Sequence, residues 1–110
     1  MNVFGSNFKK QGEELNSGIL IVPATYALEQ NYPNPFNPTT RINFQLPENN
    51  FISLKIYDIR GNLVTSLISG VMEAGYHSVY WDASGVASGV YFYRITSGSF
   101  VSSKKMILMK

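Results

Sequence analysis

The segment Asn31-Tyr-Pro-Asn-Pro-Phe-Asn-Pro-Thr-Thr40 constrains the fold of this chain more than any other stretch. It sets Pro33, Pro35 and Pro38 close together around Tyr32 and Phe36. Each proline fixes its own φ near about −65° and drives the preceding residue towards extended geometry. Each also lacks an amide proton, so the segment has no place in a central strand. Asn34 and Asn37 stand before prolines, where an asparagine side chain bonds its own backbone and shapes turns. The expectation is a stiff entry into a β-domain, displayed at an edge.

Beyond Thr40 the hydrophobic pattern has a period of two. Ile42, Phe44 and Leu46 alternate with Arg41, Asn43 and Gln45, which marks a strand with one buried face. Pro47–Asn50 reads as a turn, and Ile52, Leu54 and Ile56 repeat the alternation. Asp58–Asn62 joins that strand to Leu63–Ile68 as a hairpin, with Gly61 free to take a positive φ. Ser69-Gly70 and Ala74-Gly75 bracket the next connection. Tyr76–Asp82 carries His77, Val79 and Trp81 on one face and Tyr76, Ser78 and Tyr80 on the other. Val90–Thr96 is apolar or aromatic on both faces, as in a central strand between two layers. Gly98 turns it into the last strand, Phe100–Met109. Ahead of the proline segment, Gly18-Ile-Leu-Ile-Val-Pro23 is a short edge strand closed by Pro23. About seven strands with turns at sandwich spacing define an all-β fold, an immunoglobulin-like antiparallel β-sandwich. Without cysteine, it lacks the disulfide usual to that fold. Residues 1–25 are expected to be an N-terminal linker or tail with that short strand, and residues 26–110 the sandwich.

Composition narrows the function. Charged residues make up 15% and aromatic residues 14%, a balance that favours strands over helices. A net charge of +2 with scattered basic residues gives no footprint for nucleic acid. No apolar run reaches the roughly 20 residues of a membrane-spanning helix. Residues 1–10 lack the apolar region of a secretory signal peptide, so an exported form would be mature or excised.

Catalytic chemistry has little to work with. His77, the one histidine, lies in phase with Val79 and Trp81, which places it in the core or at its rim. Asp58 and Asp82 end their strands, where aspartate bonds turn amides. No residue is expected to be catalytic. One histidine and no cysteine argue against a transition-metal site, and no acidic ladder suits calcium. No metal or cofactor is expected. Ser84–Gly89 holds glycines, but no helix pattern comes after it to bind phosphate. Proline inside Asn37-Pro38-Thr39 rules out a glycosylation site. Tyr76, Tyr80, Tyr91 and Tyr93 suggest a stacking platform for carbohydrate, against the plainer reading of tyrosines as strand formers. Met106 and Leu108 on one face, with Ile107 and Met109 on the other, make the last strand apolar on both sides. That pattern suits burial between layers or a surface for a partner.

From Tyr26 onward the chain resembles the type A C-terminal sorting domain of the type IX secretion system. The resemblance rests on Leu28–Thr40, on Ile56-Tyr-Asp58 with Gly61, and on Ala74-Gly75 with His77 and Trp81-Asp82. Ser88-Gly-Val-Tyr-Phe-Tyr-Arg94 and Lys105–Lys110 complete it, in the family's order. A related immunoglobulin-like domain closes flagellar hook-assembly proteins and shares the late blocks. The resemblance implies a signal rather than a catalyst. Its reader would be an outer-membrane translocon and a shuttle barrel, with a sortase removing it. The protein would be secreted or at the cell surface, via the periplasm and outer membrane.

Carried across, the signal would comprise Pro33, Asn34, Pro35, Phe36, Asn37 and Pro38, then Gly89, Val90 and Tyr91, then Lys105, Met106, Ile107, Leu108, Met109 and Lys110. Cleavage is expected ahead of Tyr26. Such domains come after a large cargo, whereas residues 1–25 precede the match here. The cargo is then expected to be trimmed away, or the small protein to be itself the product. A second hypothesis is a secreted surface filament in which Ile19, Leu20, Ile21 and Val22 add to a neighbouring sheet edge. A carbohydrate-binding module is the third.

Overall fold

The structure is a computed structural model, and it describes residues 21–110. Its seven strands, in chain order, are β1 (Ala27–Leu28), β2 (Thr39–Leu46), β3 (Asn50–Asp58), β4 (Leu63–Met72), β5 (Gly75–Asp82), β6 (Gly89–Ser97) and β7 (Phe100–Leu108). They form a three-stranded sheet, β1-β2-β5, and a four-stranded sheet, β4-β3-β6-β7, with every pairing antiparallel. This is an immunoglobulin-like sandwich without a disulfide, as the sequence led one to expect.

The period-two pattern decides which face of each strand is buried. Ile42, Phe44 and Leu46 of β2, with Trp81 of β5, meet Ile52, Leu54 and Ile56 of β3. Tyr91, Tyr93 and Ile95 of β6 and Met106 and Leu108 of β7 close the core. Two of the three strand-to-strand crossings between the sheets lie at one end, and the third, from β5 to β6, lies at the other. Pro47–Asn49 carries the chain from β2 to β3, and Glu73–Ala74 carries it from β4 to β5. The Ala74 amide donates to Asn49 Oδ1 at 2.8 Å, tying the two crossings together. At that end the Tyr26 ring stacks on Phe100, centroids 5.1 Å apart. At the opposite end, the β3–β4 hairpin turns on Gly61 at φ 87°. Asp58 Oδ1 accepts the amides of Arg60 and Asn62, both at 2.9 Å. Asp58 is thus the turn former that its position suggested.

Of the short edge strand expected at Gly18–Val22, Ile21 and Val22 are exposed and outside any strand, and Gly18–Leu20 lie outside the described residues. Among the described residues the first strand is β1, where Leu28 has a core face to fill. Two expectations change within the sandwich. Ser69-Gly70 does not open a connection. It lies inside β4, whose pairing with β3 continues to Met72. Finally, β6 is central within its sheet but not between two layers. Val90, Phe92 and Arg94 form the outer face, half-buried or exposed.

Ile56 is fully buried at the layer interface. Ile56→Ala should therefore cost about 2–5 kcal/mol. Urea unfolding should report this as a lower midpoint with an unchanged slope.

Candidate functional site

The chain leaves β1 and must reach β2 in the same sheet, but it does not take the short way. Tyr32 first pairs with Arg41, through Tyr32 N–H to Arg41 O and Arg41 N–H to Tyr32 O, both 2.9 Å. The proline segment then crosses to the other sheet through Pro33, Pro35 and Pro38, each preceded by a cis peptide bond. There Phe36 forms a parallel bridge with Leu108 at the free edge of β7. Its amide donates to Ile107 O at 2.9 Å, and its carbonyl accepts from Met109 N–H at 3.0 Å. Asn34 Oδ1 accepts the Ile107 amide at 2.9 Å. Gln30 Nε2 donates to Lys105 O at 2.7 Å. On the way back, Pro38 O accepts the Ala83 amide at 2.9 Å. Asn34 therefore bonds the tail, whereas the sequence suggested a bond to its own backbone.

A buried polar hub holds the segment's entry. Asn31 is 2% exposed. Its Nδ2 donates to Pro33 O at 3.1 Å and to Thr40 Oγ1 at 2.9 Å, and Thr40 Oγ1 donates onward to Pro33 O at 2.9 Å. Gln30 Nε2 donates to Asn31 Oδ1 at 2.7 Å. The Asn31 amide donates to the Tyr93 hydroxyl at 2.8 Å, and that hydroxyl donates to Glu29 O at 2.7 Å. Each buried group in this hub thus has a partner, which spares the desolvation cost of leaving one unpaired. Burial pushes the Tyr93 phenol up to about 12, opposed by the Asn31 amide that favours the ionised form.

An aromatic chain lies beneath. Phe36 packs against Trp81 at 5.8 Å, and Trp81 meets the edge of Tyr91 at 5.5 Å. The Tyr91 hydroxyl donates to Ala87 O, four residues upstream. That contact resembles the tyrosine corner of immunoglobulin-like folds, which fixes the approach to the strand. Gly89 opens β6 at φ 154°, where a side chain would be strained, and its register partner is Leu108. Lys110 anchors the tail. Its amide donates to Ser88 Oγ at 3.0 Å, and Nζ donates to Ser84 O at 2.8 Å and to Val86 O. Asp82 Oδ1 accepts the Ser84 amide at 2.9 Å and keeps that loop in shape. The Ser84 hydrogen bonds hold the Asp82 carboxyl below its ordinary pKa.

The three blocks singled out in the sequence thus meet at one place: Phe36 bonds the tail around Leu108, and Leu108 pairs with Gly89. Their side chains do not share one role. Phe36, Tyr91, Met106 and Leu108 are core residues. Pro33, Asn34, Pro35, Asn37, Gly89, Lys105, Met109 and Lys110 are exposed, and Pro38, Val90 and Ile107 are half-buried. The tail is therefore not buried between layers, since one face is core and the other carries Ile107 and Met109. Sequence reading missed Asn31, Gln30, Thr40 and Tyr93 as the residues holding the segment. No local spacing or charge pattern betrays them, because their partners are mostly backbone groups or lie far along the chain.

The other candidates separate. His77 stacks on Phe44 at 5.4 Å, and its Nε2 lies 2.7 Å from Glu73 O, so that nitrogen carries the proton. Asp58 and Asp82 each hold amides of their own turn. The four-tyrosine platform does not form. Tyr91 and Tyr93 point into the core, while Tyr76 and Tyr80 stand exposed on β5. Among the described residues, no group of acidic or histidine side chains is placed to hold a metal. No helix of the described residues is long and apolar enough to cross a membrane.

The geometry defines an immunoglobulin-like module in which a proline segment and the C-terminal tail form one bonded unit. A family model described as the secretion system C-terminal sorting domain matches residues 30–109. The chain belongs to this family, the sorting domains of type IX secretion. Among solved structures, dimeric latent PorU from Porphyromonas gingivalis aligns with a TM-score of 0.63 and 22% identity, over 86% of this chain and 10% of that one. PorZ of the same organism is an essential bacterial surface component of its type-IX secretion system. It aligns with a TM-score of 0.52 and 24% identity, over 77% of this chain and 11% of that one. At such identities the likeness is one of fold, and the chain spans about a tenth of each structure. A comparison with curated protein sequences finds none that matches.

Tyr93 should make stability fall at high pH. Its phenol is raised to about 12 in the folded chain against the ordinary 10.0. Its contribution is complete below about pH 10, where both states hold the proton, and it is lost as pH rises through about 12. Denaturant midpoints measured across that window should drop, and Tyr93→Phe should flatten the drop. The same variant should cost about 1–3 kcal/mol at neutral pH by leaving Asn31 N–H and Glu29 O unpaired.

Proposed function

We propose that residues 26–110 are a non-catalytic address that directs a linked passenger through the type IX system to the cell surface. The passenger would be N-terminal, with cleavage ahead of Tyr26. The observation that carries this reading is the backbone bridge between Phe36 and the tail, with Gly89 in register beside it. It supports an address read in the folded state, as one composite surface rather than three linear motifs. Pro33, Asn34, Pro35, Asn37, Gly89, Lys105, Met109 and Lys110 are the accessible part. Phe36, Tyr91, Met106 and Leu108 set their positions from below. The reader would be the outer-membrane translocon and its shuttle barrel, and a sortase would act once the passenger is across. Val90, Ile107 and Pro38 border the same surface.

Nothing specific favours the other two readings. In the described part, Ile21 and Val22 pair with no strand, and Ile19 and Leu20 lie outside the described residues. The stacking platform has lost half its tyrosines to the core.

The 110-residue chain should be fused behind a periplasmic reporter in a bacterium with a working type IX system. The reporter should reach the cell surface; retention in the periplasm would contradict the proposal. Asn34→Ala, which leaves Ile107 N–H without its acceptor, should lower surface reporter with a stability loss of only about 1 kcal/mol.

A further inference from the structure

The outer face of the four-stranded sheet carries an arrangement that the fold does not need. Lys55 of β3 lies directly opposite Arg94 of β6. Both point away from the core, since Leu54, Ile56, Tyr93 and Ile95 point inward. Like charges facing each other across a strand pair are destabilising. Their cross-strand neighbours are Ser66 on β4 and Ser103 on β7, and neither is acidic. One row further along, Tyr57 faces Phe92, and Phe92 faces Lys105. Arg94 leans diagonally over the Tyr57 ring, 5.0 Å from its centroid. Tyr57, Ile59, Phe92, Arg94 and Ser103 line a groove of about 420 Å³. Asp58 is the one acidic residue lining it, and its carboxylate is occupied by the turn amides of Arg60 and Asn62.

The outer face that carries the groove also continues into the proposed address. Val90 and Ile107 pair on the same outer face, next to the row of Phe92 and Lys105. Ile59, at the hairpin tip, is 69% exposed. The face is thus an aromatic and aliphatic floor with Lys55, Arg94 and Lys105 above it. A flat bilayer surface would meet the cations but not fill a groove. A protein surface with protruding apolar side chains and flanking carboxylates would do both.

We infer that this groove on the outer face of β3, β6 and β7 is the docking surface for an acidic protein segment of the export machinery. Lys55, Arg94 and Lys105 supply the charge, and Tyr57, Phe92 and Ile59 supply the apolar contact. The inference rests on the sorting reading and says where the reader sits. Two like charges are held together because the partner's carboxylates neutralise them.

Lys55→Glu separates docking from folding, because it puts an opposite charge across from Arg94. The variant should melt at the same temperature as the parent or higher. As a reporter fusion of the full chain, it should reach the surface about tenfold less than the parent, the loss expected for one charge pair at an interface. Arg41→Glu, an equal charge change on the other sheet, should export as the parent does. If the parent fusion itself stays in the periplasm, the sorting reading fails before this one is reached. If the parent reaches the surface and Lys55→Glu does so equally, the docking surface is overturned. The chain should also be sedimented with phosphatidylglycerol vesicles. Binding that Lys55→Glu abolishes would assign the face to a lipid surface and overturn the protein partner. Absence of vesicle binding, alongside the export defect, would support it.

Discussion

The parallel bridge between Phe36 and Leu108 is the interaction on which the rest of the arrangement depends. β7 is an edge strand, and the amides of Ile107 and Met109 face away from β6. Left open, that edge would invite pairing with another chain. Instead Asn34 and Phe36 take both amides, and Phe36 N–H and Gln30 take the carbonyls of Ile107 and Lys105. The segment is short and rich in proline, so it cannot extend the sheet further. It caps the edge and then leaves. The same residues join the two sheets at the side where β1 and β7 are their edges.

This explains why three blocks distant in sequence belong together. Each gives a side chain to the core and a backbone group to its neighbour. Phe36, Tyr91 and Leu108 pack beneath, and Phe36, Leu108 and Gly89 stand in line above. The Asn31 hub fixes where the proline segment starts, and Lys110 fixes where the tail ends. On the proposed sorting reading, a reader of the exposed residues would meet a surface already ordered, and would spend little of its binding energy on ordering it. An unfolded passenger tail would present the same residues without that geometry.

The sequence made the sandwich legible because alternation in β2, β3 and β5 assigns faces directly. Asp58, Asp82, Gly61 and His77 also behaved as their positions suggested. The family was legible too, from its blocks and their order. What the chain concealed was pairing over long separations. Nothing local says that Asn34 bonds Ile107, or that Asn31 bonds the Tyr93 hydroxyl. The apolar run at Gly18–Val22 looked more like a strand than Ala27-Leu28 does. Yet a strand of two residues suffices where Leu28 alone needs a place in the core. In β6 the outer row of Val90, Phe92 and Arg94 mimicked a second buried face. Phe92 and Arg94 of that row instead line the groove on the outer face.

The central claim is that proline segment and tail form one backbone-bonded unit in the folded chain. Native-state amide hydrogen exchange measured residue by residue tests it most directly. The amides of Phe36, Ile107 and Met109 should be protected and should open together, with one common free energy. If Ile107 and Met109 exchange at the rate of a free edge while the β6–β7 amides stay protected, the two blocks are not joined and the account is wrong.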